Sequence, residues 1–229
     1  NYHKFNDTIC RFEAFTQTPT VIENQNNKIQ TFVYLNLSKI NRHFMEGTFE
    51  AGIAEIPQIE EKLTEYELYL DRHRVLVFYY KFASLYFGAG KYSTSIDYLN
   101  KVIDLKGDLR TDLRCYARLL HLIAHYELGN FEILEYLLKS VTRFMAKMEN
   151  LGLAEAEIFS FLKRAFRLQP SELKPAFIKL LENLKEVEKD KLASRAFMYL
   201  DVISWLESKI EGKEVQDIIR DKYLRSINK

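Results

Sequence analysis

Apolar positions recur at steps of three and four along almost the whole chain. The stretch from Arg74 to Asp108 shows it best: RVLVFYYKFASLYFGAGKYSTSIDYLNKVIDLKGD. Its spacing predicts two amphipathic helices around a Gly-Ala-Gly turn. The first covers roughly Arg72 to Phe87, and Leu76, Tyr79, Tyr80, Ala83, Tyr86 and Phe87 share one broad face. Gly88 and Gly90 stop it, since glycine accepts the left-handed backbone on which many helices end. The second runs from Tyr92 to Leu105, with Ile96, Leu99, Val102 and Ile103 as its stripe and Gly107 at its end.

The same periodicity extends outward. Asn1 to Phe15 forms a helix with Phe5, Ile9 and Phe12 inward, and the polar run Thr16 to Asn27 is a loop or linker. Helices follow over Lys28 to Glu46 and Thr48 to Leu70, the latter kinked or restarted at Pro57. Asp108 caps a helix over Leu109 to Leu128, whose partner is Phe131 to Met148. After a break at Asn150 to Gly152 come Ala154 to Leu168, Ser171 to Val187, Lys191 to Ile210 and Lys213 to Ile227. Pro170 and Pro175 fit the start of the second of these, Gly212 separates the last two, and Trp205 is a core residue. No strand pattern competes, so the fold class is all-α, with ten or eleven helices expected.

A helix pair this short cannot bury both stripes alone, and copies of it are present. HFMEGTFEAG and AHYELGNFEIL repeat the aromatic, x, x, Gly, x, aromatic pattern of YFGAGKYSTS around Gly47, Gly90 and Gly129, at spacings of 43 and 39 residues. Ala83 is the small residue midway along the first helix of the central pair; Tyr86 follows it, then Gly90, Tyr92 and the small Ser95. In these features the chain resembles the tetratricopeptide (TPR) repeat, over about Asn27 to Asn150. It departs from that family in its longer spacing, in Leu122 where a small residue belongs, and in Gly107 where a closing proline belongs. The whole chain is also similar to uncharacterised bacterial helical-repeat proteins, a likeness that implies no activity.

The resemblance implies a right-handed α-α superhelix of antiparallel hairpins. On this expectation residues 1–229 form one α-solenoid domain: an N-terminal helix and loop over 1–26, TPR-like hairpins over 27–150, and degenerate hairpins over 151–229. It further implies a concave surface that binds a protein or peptide. The matching positions are Tyr34, Leu37, Asn41 and Phe44; Val77, Tyr80, Ser84 and Phe87; and Tyr116, Leu119, Ile123 and Tyr126. The set is apolar and aromatic, without the Lys and Asn clamp that holds a terminal carboxylate in some family members. It forms either an open peptide groove or, in a tight superhelix, packed core.

Composition narrows the choices. Only 8 Gly and 4 Pro leave little room for a turn-rich β fold, and a net charge of +1 disfavours a nucleic-acid binder that relies on bulk charge. Cys10 and Cys115 supply neither a disulfide framework nor zinc spacing, so a reducing, cytoplasmic setting is expected. No apolar run approaches the roughly 18 residues of a membrane span, and no signal peptide is evident. The sequence opens on Asn1 and not Met, as a piece of a longer chain would.

Candidate chemistry is sparse. GAGKYSTS imitates the end of a phosphate-binding loop, but Tyr92 stands after Lys91 and Leu85 stands where the first glycine belongs. His121 and His125 have the i, i+4 spacing that suits a metal, yet Arg114 and Arg118 share their face and disfavour a cation. That stripe of Arg114, Arg118, His121 and His125 is a candidate anion or acidic-peptide site, or a polar seam against the adjoining hairpin. Lys139, Arg143 and Lys147, with Lys163, Arg164 and Arg167, form further basic rows. No spacing pairs a nucleophile with a base. The expectation is a non-catalytic protein- or peptide-binding module without cofactor or metal. The alternative is a sensory domain that binds a peptide or small anion.

Overall fold

The computed structural model describes residues 2–104, 110–148, 152–165, 167–189 and 201–228. These form twelve α-helices and no strand. In order they are α1 Tyr2–Thr16, α2 Pro19–Ile22, α3 Gln25–Glu46, α4 Phe49–Glu65, α5 Arg72–Gly88 and α6 Tyr92–Ile103. There follow α7 Thr111–Glu127, α8 Phe131–Met145, α9 Leu153–Ala165, α10 Pro170–Glu188, α11 Val202–Glu211 and α12 Val215–Ile227.

One turn is used four times. Gly47, Gly90, Gly129 and Gly212 all have φ between 67° and 72°, the left-handed region. Beyond each glycine the next amide donates back to a carbonyl five residues earlier: Thr48 to His43, Lys91 to Tyr86, Asn130 to His125 and Lys213 to Ser208, at 2.8–3.1 Å. This is the helix end in which a left-handed residue lets the last carbonyls find donors. The aromatic pattern in the sequence marks only the first three of these turns. The α11–α12 turn lacks the aromatics and has the same backbone.

The central pair packs through its small residues. Ser95 is fully buried, and its hydroxyl donates to the Ala83 carbonyl at 2.8 Å. Between Val75 and Gly90 the only charged side chain is Lys81, so α5 is apolar on nearly every side. A helix of that kind is buried all round. Leu76, Phe78, Tyr80, Phe82, Ala83, Leu85 and Phe87 all lie in the core.

Most sequential helices are neighbours, α9 packs back on α7, and α12 returns to pack on α3. The approach is close: a Cβ on Gly47 would lie 2.7 Å from the Gln216 carbonyl oxygen and 2.8 Å from the Arg220 amide nitrogen. Arg220 Nη1 donates to the Glu46 carbonyl at 3.2 Å, and Tyr223 meets Tyr2 edge-on at 4.9 Å.

Some expected boundaries move. The Thr16 to Asn27 linker contains α2, and α3 begins early because the Asn24 side chain accepts from the Asn27 amide at 3.0 Å. Helix α4 runs unbroken through Pro57, which removes a single amide donor while Gly52, Ile56, Ile59 and Leu63 bury the flanking turns. Pro170 does open α10, where Gln169 and Glu172 form a reciprocal cap, but Pro175 lies inside the helix. The Asp108 cap, the Gly107 stop, the break at Asn150 and Leu151, and the first part of the helix expected over Lys191 to Ile210 fall outside the described residues.

Candidate functional site: a walled apolar cavity

The C-terminal halves of α3, α5 and α7 converge on one side, and α11 and α12 cover them on the other. Between them lies a cavity of about 200 Å³. Phe44, Tyr80, Phe87, Leu120 and Ile123 form the α3–α5–α7 wall, and Val202, Trp205, Val215 and Ile219 form the C-terminal wall. Ser84 lines it too, its hydroxyl turned to the Tyr80 carbonyl at 2.9 Å.

Among the described residues, Lys81 supplies the only cationic group of that lining. Its ammonium donates to Asn41 Oδ1 at 2.7 Å and sits 5.1 Å from the centre of the Phe44 ring. No carboxylate of the described residues forms an ion pair with it. Burial without a counter-charge pushes its pKa down to about 8. Asp201 also lines the cavity, but it is exposed, and its side chain accepts from the Ser204 amide at 2.9 Å, capping α11.

The C-terminal wall is braced from behind. Trp205 Nε1 donates to Glu127 Oε1 at 2.6 Å, and Lys209 holds the other Glu127 oxygen at 2.5 Å. The Trp205 ring meets Tyr126 and Phe177 edge-on, at 6.4 and 5.7 Å. The indole is therefore clamped at its polar edge while one flank borders the cavity.

The expected concave set divides on this geometry. Tyr80, Ser84, Phe87 and Ile123 reach the cavity with Phe44, and Asn41 orients Lys81. Tyr34 is exposed on α3 beneath the Arg74 guanidinium, and Leu37 and Val77 are half-buried against the core. Tyr116 is buried, and Leu119 has no exposed surface. On α7 it is Leu120, one position on, that faces the cavity. Lys81 escaped the matched positions because it lies between them. Its signal is a lone charge in the apolar run from Val75 to Gly90.

The basic-and-histidine stripe is drawn into packing. Arg114 Nη2 donates to the Ile103 carbonyl at 3.3 Å, and Arg118 Nη1 to the Arg114 carbonyl at 3.2 Å. The Arg118 guanidinium lies 3.9 Å from the Phe144 ring centre. His121 and His125 are buried with ring centres 4.6 Å apart, and His125 Nδ1 is 3.1 Å from the Asn130 side-chain Nδ2. Burial, then His125 and Arg118, push His121 down to about 4, and burial lowers His125 as well. At neutral pH both rings are uncharged, so the cationic character of this stripe comes from the two arginines alone.

Elsewhere, Lys91 of the GAGKYSTS turn pairs with Glu50 at 2.7 Å. Lys139, Arg143, Lys147, Lys163 and Arg164 are exposed, and Arg167 lies 3.9 Å from Glu135. Burial pushes the Cys115 thiol up to about 12, which makes it inert. No group of three or more metal-ligating side chains occurs among the described residues, and no described helix is long and apolar enough to cross a membrane.

The described residues define an all-helical protein with a walled apolar cavity bearing one partly buried ammonium. No family model, curated protein or solved structure matches the chain.

Proposed function

We propose that this chain is a non-catalytic, TPR-like binding module whose ligand site is the cavity between the α3–α5–α7 face and α11–α12. One observation carries the reading: a concave apolar wall with a few convergent polar groups is the usual form of a ligand site, and here it holds Tyr80, Ser84 and Lys81, the last bonded to Asn41 behind it. The second wall comes from the chain's own C-terminal helices, which favours the sensory alternative. An occupant touching Val215 and Ile219 bears directly on how α12 sits against α3.

The protein-binding scaffold reading draws on a different observation. Helix α8 exposes Ile133 and Tyr136, three residues apart on one face, the latter at 72%. Exposed apolar groups that cluster are a usual mark of a contact surface.

Thermal-shift measurements on the full chain with small acids, neutral isosteres and short peptides test the cavity. Ile219→Phe adds volume to one wall without adding charge. Any ligand that raises Tm in the parent chain is expected to lose that effect in the folded variant. Equal shifts in both proteins would place the ligand elsewhere.

A further inference from the structure

The lysine side chain that enters this cavity is in an unusual position. An ammonium has three donors, and Lys81 spends one on Asn41. Burying a cation without a counter-charge costs several kcal/mol or moves its pKa. Asp201, the other charged residue of the lining, already caps α11 and is exposed. Apart from Ser84, whose hydroxyl donates to the Tyr80 carbonyl, the other described lining residues are apolar or aromatic. A dry apolar cavity of roughly 150 Å³ accommodates benzene, so about 200 Å³ suits one ring or a short chain with a small polar head. With α11 and α12 forming the second wall, that space is too small for a length of peptide.

We propose that the cavity binds a small apolar monocarboxylate, its tail against Phe44, Phe87, Ile123 and Trp205 and its carboxylate on the Lys81 ammonium, which Asn41 holds in place. This rests on the cavity being the ligand site. The carboxylate supplies the missing counter-charge, and the ammonium supplies charge-assisted hydrogen bonds in a poorly solvated setting, where such bonds are strongest. Asn41 acts as a positioning residue, because its carbonyl oxygen accepts from Lys81 and turns the remaining donors toward the cavity.

The test compares hexanoate and phenylacetate with hexanol and phenylacetamide by calorimetry, on the full chain and on Lys81→Met. Methionine keeps the apolar stem and removes the charge. Each acid is expected to bind the parent chain about 10- to 100-fold tighter than its neutral isostere, the worth of one or two charge-assisted bonds. In Lys81→Met that preference should vanish while the neutral compounds still bind. Carbon-13 NMR of the full chain carrying lysine labelled at Cε, which leaves the ammonium unmodified, supplies a second readout: bound acid should move the Lys81 titration upward from about 8. Tyr80 and Asp201 are the other ionisable groups lining the cavity. The Lys81 resonance is assigned by its absence in the variant.

Equal affinity of acid and isostere in the parent chain would overturn the inference and leave the cavity as a ligand site. Binding only of a peptide with a free C-terminus would do the same. If neither acid nor isostere binds, the cavity reading falls with it.

Discussion

Lys81 concentrates the energetic tension of this structure. Its folded pKa of about 8 lies below the ordinary lysine value of 10.5, so the unfolded chain holds the proton more tightly. Stability should therefore rise with pH from about 8 toward 10.5, as the buried amine becomes neutral in the folded state. Below about pH 8 the charged lysine costs on the order of 3 kcal/mol. Lys81→Met should be the more stable protein at pH 7 by up to that amount, and the gap should close as pH rises above 8. Urea denaturation of both chains at pH 7 and pH 9.5 measures it. A gap independent of pH would mean that Lys81 is solvated and uncharged space does not surround it. The residue was visible in the sequence as the sole charge between Val75 and Gly90, but no local pattern told whether its tip reached solvent, because that depends on α11 and α12, over a hundred residues away.

At the scale of elements, the turns were the most legible feature and the closing contacts the least. Gly47, Gly90 and Gly129 stood out because a left-handed helix end favours glycine over other residues and the flanking aromatics repeat. The same local rule covers Gly212, which lacks aromatic neighbours. Nothing local revealed that Gly47 also serves as a landing point for α12. The two functions separate by mutation. Gly212 has open space where a Cβ would go, so Gly212→Ala should cost about 1 kcal/mol, for the left-handed backbone alone. Gly47→Ala meets the same strain and also the backbone of Gln216 and Arg220, and should cost at least about 2 kcal/mol more. Denaturation midpoints of the two variants compare them directly. Similar losses would show that α12 yields easily. The α7 register was misjudged for a related reason: one residue, Leu119 against Leu120, separates the inside of a helix pair from the cavity wall, and the periodicity of a helix apolar on several faces does not resolve it.

For the whole molecule, the all-helical class followed from periodicity, whereas the site followed from closure. Phe44, Tyr80, Ser84, Phe87 and Ile123, on α3, α5 and α7, form one wall of the cavity. The other wall comes from Val202, Trp205, Val215 and Ile219, in helices whose spacing says only that they are amphipathic. Long-range packing of α12 on α3 makes the two walls one site. Weakening that contact should therefore weaken binding at a distance, and Gly47→Ala should lower the affinity for a cavity ligand without touching it.

Trp205 is the only tryptophan of the chain and borders the cavity, so its emission reports the central claim directly. Heavy-atom quenching acts at contact range, and 6-bromohexanoate carries its bromine at the end of the chain opposite the carboxylate. The account predicts saturable quenching of Trp205 in the full chain, relieved by unbrominated hexanoate and sharply weakened in Lys81→Met. Quenching that only grows linearly with concentration, or that unbrominated hexanoate fails to reverse, would contradict it.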